Sequence, residues 1–292
     1  MAKKNKSYNK GFATSKDGTK VGYRQMGSGP GIILMHGGAN ASEHFMKLGE
    51  VLSDTFTVYI PDRRGRGLSG PFGKNYSMQK EIEDLDSLIE KTKAYYIFGL
   101  SSGALIALQA TLKILAIKKS ALYEPPLDID GSIMEILSFI PQFDQEIAEG
   151  KLADATITMI NDFGIYFGVP SWMTGLPRPV LVGLFKLYYR IEPKTLKEDN
   201  VSFTVLVPSF HYDYLLVREM QGMLENFKEV NAEVLLIGGS KSPSFLKNTL
   251  DALEKVLPNV KRVELQGLSH SGPLVTGNPK RVAQELKHFF IK

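Results

Sequence analysis

The chain has 292 residues, of which 43% are hydrophobic and 23% are charged, a composition typical of a folded globular protein. Its length allows either two domains or one large α/β domain, with a core that needs no disulfide bonds. The excess of positive charge is only four, equal to the lysines at 3, 4, 6 and 10, which argues against a nucleic-acid partner.

Several classes of protein are disfavoured by what the sequence lacks. It contains no cysteine, which excludes disulfide bonds, thiolate metal sites and a cysteine nucleophile. Residues 1–18 have no apolar segment typical of a signal peptide, and no uncharged apolar stretch approaches the ~20 residues of a transmembrane helix. We therefore expect a cytoplasmic protein without a membrane partner. The sequence does not indicate an oligomeric state.

Apolar runs in the first half of the chain predict the strands of a buried sheet. Residues 19–25 alternate as an early strand does, and largely apolar runs follow at 32–35, 56–60, 95–98 and 121–123. Because these later runs are apolar on both faces, they predict a sheet that is covered by helices on both sides.

Helices are predicted between these strands from the spacing of apolar residues. Residues 42–52 and a segment beginning after Ser77 each have one apolar face, and serine is a typical helix-capping residue. Residues 102–115 are apolar on all sides, which is typical of a helix packed deep against a sheet.

The alternation of strand and helix stops at residue 127. Residues 127–229 have a largely helical pattern with many large apolar side chains. They include Met134, Phe139, Trp172, Phe185, Tyr188, Tyr189, Tyr212 and Tyr214. Apolar runs at 234–237 and 263–265 then predict further strands, with helices over 244–256 and from Asn278-Pro279 onward.

Together these elements predict one doubly wound, mostly parallel α/β sheet formed by residues 1–126 and 230–292. Residues 127–229 are expected to form a helical cap, and the cleft between cap and sheet is the expected ligand pocket. Its large side chains favour a small molecule with an apolar acyl or alcohol group. No metal-ligand spacing or dinucleotide fingerprint is present, so we expect no metal and no cofactor.

The motif with the clearest chemical meaning is Gly99-Leu-Ser-Ser-Gly103, which joins the strand at 95–98 to the helix at 102–115. A sharp strand-to-helix turn of this kind holds its serine in a strained backbone conformation, and side chains at 99 and 103 would collide. The turn therefore predicts that the Ser101 hydroxyl stands above the edge of the sheet, at the end of a helix dipole.

With this motif, the chain resembles the α/β-hydrolase superfamily over about residues 12–292. Three further motifs carry the resemblance: His36-Gly-Gly38 after the third strand, Asp62–Ser69 after the fourth, and Gly267-Leu-Ser-His270 after the last. The resemblance implies an α/β-hydrolase sheet with a helical cap inserted after the sixth strand. It does not specify a substrate, because this fold supports many activities.

The resemblance also implies roles for individual residues. Ser101 is the expected nucleophile and His270 its base, because a serine hydroxyl is a weak nucleophile without one. The backbone amides of Gly38 and Ser102 are the expected oxyanion hole. His36 is expected to brace the oxyanion loop. The Asp62–Ser69 loop is expected to be tied to its neighbours by hydrogen bonds rather than to bind phosphate.

The acid of the triad departs from the common pattern of the family. The usual position lies in Gly239-Ser-Lys-Ser-Pro243, where Ser242 stands in place of an aspartate, and a serine does not stabilise an imidazolium as a carboxylate does. Some relatives, including a group of dehalogenases, take the acid from the end of the sixth strand, which in this chain is Glu124. Asp128 and Asp130 are alternatives, and loss of the acid is another.

The other histidines have different expected surroundings. His44 is placed at the rim of the site, His211 in the cap where contact with substrate is an alternative, and His288 on the solvent side of the last helix.

These expectations combine into a serine hydrolase that cleaves a small, fairly apolar carboxylic ester through an acyl-enzyme. Ser101 attacks, His270 moves the proton, and Glu124 orients His270. The alternatives are a C–C bond hydrolase or perhydrolase that uses the same triad, and a slow or non-catalytic ligand-binding signalling protein of this fold.

Overall fold

An eight-stranded sheet forms the centre of the computed structural model, which describes residues 7–163, 175–197 and 199–291. The strands are β1 (Asn9–Thr14), β2 (Lys20–Met26), β3 (Gly31–Met35), β4 (Thr57–Pro61), β5 (Tyr96–Leu100), β6 (Lys119–Tyr123), β7 (Glu233–Gly239) and β8 (Val260–Leu265). Their order in the sheet is β1-β2-β4-β3-β5-β6-β7-β8. β2 is antiparallel to both β1 and β4, whereas β3 to β8 are parallel. The predicted doubly wound, mostly parallel sheet is thus confirmed.

Helices cover both faces of this sheet. They are α1 (Met46–Leu52), α2 (Met78–Thr92), α3 (Ser102–Lys113), α4 (Ser132–Ile136), α5 (Ile140–Ala148), α6 (Leu152–Phe163), α7 (Arg178–Thr195), α8 (Phe203–Glu219), α9 (Ser244–Val256) and α10 (Pro279–Ile291). Apolar residues of α1 and α10 pack on one face, and those of α2, α3 and α9 pack on the other.

The apolar runs that predicted the strands are explained by this arrangement. In β3, Ile33 and Met35 belong to the core on the α2 and α3 side, whereas Ile32 and Leu34 belong to the core on the α1 and α10 side. Both sets are buried, since neither face of the sheet is open to water.

Two local features differ from the sequence-based expectations. β1 was not predicted from the pattern, because this edge strand is mostly exposed and its sequence, Asn-Lys-Gly-Phe-Ala-Thr, shows no clear apolar alternation. Ser77 is the N-cap residue of α2, but its side chain accepts no capping hydrogen bond. Instead, the Met78 N–H donates to Glu219 Oε2 at 2.8 Å, so a carboxylate from α8 satisfies this helix end.

Helices α4 to α8 lie between β6 and β7, the segment that the sequence predicted to be helical. Residues 164–174, which include Trp172, lie outside the described residues. In the described ranges, no helix has both the length and the apolar character needed to cross a bilayer.

Candidate active site

Ser101 lies at the turn between β5 and α3, with φ 55° and ψ −126°, a backbone conformation that is costly for a residue with a side chain. The two glycines of the motif make this turn feasible. A Cβ on Gly99 would lie 2.4 Å from the Gly103 carbonyl oxygen, and one on Gly103 would lie 2.4 Å from the His36 carbonyl oxygen. The motif therefore encodes a turn for which only glycine fits on both sides of the serine.

Gly99→Ala is expected to lower the free energy of unfolding by about 1–3 kcal/mol, because the added methyl group has no space in this turn. Urea denaturation measures the effect. Gly183→Ala in α7 is the matched control, since nothing lies within 4 Å of a Cβ at that position. Alanine favours a helix interior, so this control should be stabilised by about 0.5–1 kcal/mol. Equal stability of Gly99→Ala and the wild type would contradict the tight turn.

Of the five non-glycine residues with a positive backbone φ in the described chain, three lie around the same place, whereas Asn75 and Lys93 flank α2. Ala39 follows the glycine pair after β3 with φ 48°, Ser101 has φ 55°, and Glu124 at the end of β6 has φ 48°. Such conformations cost about 1–3 kcal/mol each and persist only where the surrounding structure enforces them. Three neighbouring loop ends thus share the strain typical of a functional site.

His270 and Glu124 form a close, buried pair. The His270 Nδ1–H donates to Glu124 Oε2 at 2.6 Å, and the Glu124 side chain is only 1% exposed. The other carboxylate oxygen accepts the Gly239 N–H at 2.6 Å, from the end of β7. Tyr123 OH donates to the Ser269 carbonyl at 2.8 Å and so fixes the loop that carries His270. This geometry leaves His270 Nε2 as the ring atom able to accept a proton.

The alternative acids lie elsewhere. Asp128 accepts hydrogen bonds from the Ile133 N–H at 3.1 Å and from Gln221 at 3.2 Å. Asp130 accepts the Ser132 N–H at 3.1 Å. Ser242 is buried, and its hydroxyl has no hydrogen-bond partner within the described part of the chain. Of the three candidate carboxylates, the one in contact with His270 is therefore Glu124.

Ser101, His270, Gly38 and Ser102 line one pocket. Ser102 is the first residue of α3, where a backbone N–H has no acceptor within its own helix. The remaining wall is mostly apolar and consists of Pro126, Ile133, Leu137, Phe210, Tyr214, Val217, Phe245 and Leu246. The pocket is narrow, with a cavity volume of about 30 Å³.

The exception in this apolar wall is Asp213 on α8, a residue that the sequence analysis did not single out. Its Oδ1 accepts Arg63 Nη1 at 2.7 Å and the Ser102 hydroxyl at 2.8 Å, and its Oδ2 accepts Arg66 Nη2 at 2.5 Å. Burial alone raises the pKa of the Asp213 carboxyl, but Arg66 and Arg63 outweigh it and hold this pKa below its ordinary value of 3.8. Asp213 is therefore a carboxylate that links α8 to the residue after Ser101.

A signal for this carboxylate was present in the sequence. The Asp62–Ser69 loop carries Arg63, Arg64 and Arg66, which are all buried, and buried arginines require anionic partners. Arg63 also donates to Glu81, and Arg64 donates to Asp84 through two nitrogens, at 2.8 and 2.6 Å. The three arginines are visible in the sequence, but only the structure shows that they are buried and which carboxylates they pair with.

Asp62 itself binds this loop to its surroundings, as the sequence predicted. It accepts the Ser42 N–H at 2.8 Å and the Leu68 N–H at 2.9 Å, and it pairs with buried Arg24 at 3.3 Å. No bound phosphate is needed to explain the glycines and arginines of this segment.

His36 connects the loop after β3 to the Asp62–Ser69 loop. Its Nδ1–H donates to the Gly37 carbonyl at 3.0 Å, and its Nε2 accepts the Arg63 N–H at 3.1 Å. Burial, together with Arg66 and Arg63, holds the pKa of His36 well below its ordinary value of 6.5. The ring is thus neutral and fully hydrogen-bonded, which fits the bracing position that was expected.

The remaining histidines do not line the pocket of Ser101. His211 pairs with Asp144 at 2.9 Å, so the alternative of substrate contact is not supported by its position. His44 is half-buried beside a separate polar cleft, with Nδ1 accepting the Ala41 N–H at 3.1 Å, and His288 is exposed on α10. Across the described ranges, no group of three His, Asp or Glu side chains is arranged to hold a metal ion.

Comparisons with known proteins agree with this architecture. A solved α/β hydrolase from Sphaerobacter thermophilus is 28% identical, with a TM-score of 0.74, and the match covers 96% of this chain and 100% of that one. The uncharacterized hydrolase YraK of Bacillus subtilis is 34% identical over 100 residues, 33% of this chain and 37% of YraK. A cis-3-alkyl-4-alkyloxetan-2-one decarboxylase of Shewanella oneidensis is 32% identical over 79 residues, 26% of this chain and 25% of that enzyme.

The match thus spans little more than a third of the length of YraK and a quarter of the length of the decarboxylase. The family assignment rests on a wider match, because the model of the alpha/beta hydrolase family covers residues 32–285. That range contains Gly38, the turn at Ser101, Glu124 and His270. The chain therefore belongs to the alpha/beta hydrolase family.

Proposed function

We propose that the protein is a serine hydrolase that cleaves a small, fairly apolar carboxylic ester through an acyl-enzyme. The observation that carries this proposal is the buried His270–Glu124 pair, in which Nδ1 and Oε2 lie 2.6 Å apart and His270 lines the same pocket as Ser101. A nucleophile, a base and a group that orients the base are the parts that such a reaction requires.

In the proposed mechanism, Ser101 Oγ attacks the ester carbonyl carbon while His270 Nε2 takes its proton. Glu124 holds the ring through Nδ1 and stabilises the imidazolium that forms. His270 then gives the proton to the leaving alcohol, and the C–O bond of the ester breaks. A water molecule, deprotonated by His270, attacks the acyl-enzyme and releases the acid and free Ser101.

Negative charge develops on the carbonyl oxygen during both attacks. We assign its stabilisation to the backbone N–H groups of Gly38 and Ser102, two residues that line the same pocket as Ser101. Donors that are already in place cost no reorganisation during the reaction, and one such donor typically contributes ~3 kcal/mol to lowering the barrier.

The pocket wall supports an apolar acyl or alcohol group. Residues 127–229 contribute Ile133, Leu137, Phe210, Tyr214 and Val217 to it, and we assign this segment the role of a helical cap over a core of residues 1–126 and 230–292. Both oxygens of Asp213, the carboxylate in the described wall, are engaged by arginines and Ser102. A C–C hydrolase would need polar groups available for a diketone, and an ester is therefore favoured.

Hydrolysis of a p-nitrophenyl ester series, from acetate to octanoate, tests the proposal. The wild type should release p-nitrophenol with an optimum at short acyl chains, because the pocket is narrow. Ser101→Ala should lose at least about 10³-fold in kcat, since the residual activity comes from the oxyanion hole and binding alone. Equal turnover by Ser101→Ala would overturn the proposal, and so would no turnover of any ester, which would favour the C–C hydrolase and binding-protein alternatives.

A further inference from the structure

Helix α7 presents a continuous apolar stripe to solvent. Val180, Leu184, Leu187, Tyr188 and Ile191 are each between 41% and 54% exposed, although large apolar side chains are more often buried. Their spacing of three and four residues places them on one side of the helix. This side of α7 is not covered by the described part of the chain.

The stripe continues onto the start of α8. The rings of Tyr188 and Phe203 lie 5.9 Å apart, and Phe203 and Val205 are also exposed. Buried Glu192 fixes the two helices to each other, because its carboxylate accepts the Ser202 hydroxyl at 2.6 Å and the Phe203 N–H at 3.0 Å. We call the exposed side chains of these two segments the α7 face. A contiguous apolar surface of this kind typically marks an interaction site.

The charges beside the stripe are all positive. Lys186, Arg190 and Lys194 are exposed on α7, and they lie along one flank of the apolar stripe by helical spacing. The acidic residue within α7 is Glu192, whose carboxylate is turned inward to α8. The exposed side of the helix therefore combines apolar and cationic groups without an exposed acid.

We infer that the α7 face binds the surface of an anionic lipid bilayer. A helix with an apolar stripe and a lysine- and arginine-rich flank lies in the plane of a membrane interface, with its apolar side among the acyl chains. Each cation close to an anionic surface strengthens binding about fivefold. A twofold pairing of two copies through the same face places like charges near each other, and so the charge pattern favours lipid over a second copy.

This inference differs from the sequence-based expectation of no membrane partner. That expectation rested on the lack of an apolar segment long enough to span a bilayer. A helix that lies on the surface needs no such segment, and its exposed stripe is visible only when the fold shows which side of α7 packs inward.

Vesicle flotation with the full chain tests the inference. The wild type should float with phosphatidylcholine vesicles that contain phosphatidylglycerol, and less with phosphatidylcholine alone. Leu184→Ser combined with Leu187→Ser should weaken binding at least tenfold, as should Lys186→Glu combined with Arg190→Glu. Added salt should weaken wild-type binding, because it screens the attraction between the cations and the surface.

Matched controls use residues that are exposed elsewhere on the molecule. Leu115→Ser removes an 86% exposed leucine, and Lys261→Glu changes an exposed lysine on β8. Both should float like the wild type, and urea midpoints should show that every variant is folded.

The inference would be overturned if the wild type did not bind anionic vesicles at low salt, or if the controls lost binding as strongly as the α7 variants. It would also be overturned if the wild type bound no lipid but formed a dimer in light scattering, and Leu184→Ser with Leu187→Ser abolished that dimer. None of these readouts depends on ester hydrolysis.

Discussion

Glu124→Gln is expected to lower kcat for ester hydrolysis by about 10³–10⁴-fold, with a much smaller change in KM. Glutamine keeps the size of the side chain, and its amide oxygen can still accept the Gly239 N–H. Glutamine has no negative charge to stabilise the imidazolium of His270. Its amide also no longer ensures that the proton of the neutral His270 ring is on Nδ1. The loss therefore falls on the transition state, and initial rates across the ester series measure it.

Asp128→Asn and Asp130→Asn are the matched controls for this prediction. Both remove a carboxylate near the end of β6, but those carboxylates accept hydrogen bonds from Ile133, Gln221 and Ser132 rather than from His270. Their kcat should stay within about threefold of the wild type, since neither carboxylate takes part in the proposed triad. A Glu124→Gln variant as active as these controls would remove Glu124 from the triad.

Asp213→Asn is expected to lower the free energy of unfolding by about 3–5 kcal/mol, a large part of the 5–15 kcal/mol typical of a native protein. The change removes the anion between two buried arginines, and it places an amide nitrogen, which is a donor, against the guanidinium of Arg66 or Arg63. Each arginine charge is then less compensated in surroundings that exclude water. Urea or guanidinium denaturation at pH 7 measures the loss.

The difference in unfolding free energy between the wild type and Asp213→Asn should become smaller as the pH falls. Because the pKa of Asp213 is lower in the folded protein than its ordinary value of 3.8, its contribution is fully present above that value. It is lost as the pH falls from there through the lower folded-state pKa, so the wild type and Asp213→Asn should converge in strongly acidic solution.

Asp144→Asn provides the contrast for Asp213→Asn. Asp144 also lies in the segment between β6 and β7, and it pairs with His211, but both side chains are partly exposed. An exposed pair of this kind is worth about 0–1 kcal/mol. Equal destabilisation by the two variants would show that burial and the two arginine partners do not make Asp213 more important for stability than Asp144.

The turn at Ser101 was predictable because local steric requirements determine it. Two glycines around a serine, after a buried strand and before an apolar helix, leave few other conformations. Glu124 was predictable for a related reason, since its place at the end of β6 puts it at the same sheet edge as the loop of His270. In both cases a residue and its surroundings are specified by the strand from which it emerges.

Asp213 and the α7 face were not predictable in the same way. Asp213 belongs to no motif, and its partner Arg63 lies 150 positions away in the chain, so a packed structure is needed to bring them together. For α7, a sequence pattern of large apolar residues shows that a helix has an apolar side, but not whether that side meets the core or the solvent. β1 was missed because an exposed edge strand carries little apolar signal.

The contacts that hold α8 in place have a consequence for how a substrate reaches Ser101. Asp213 fixes the middle of this helix to the two arginines of the loop after β4, and Glu219 fixes its end to the start of α2, where it accepts the Met78 N–H. Swinging α8 outward as a rigid arm would pull a buried anion away from two buried cations, a cost of several kcal/mol. We therefore expect a substrate to enter with α8 in place and the apolar side chains of the pocket wall to move instead, so that its size and flexibility decide how quickly it is admitted.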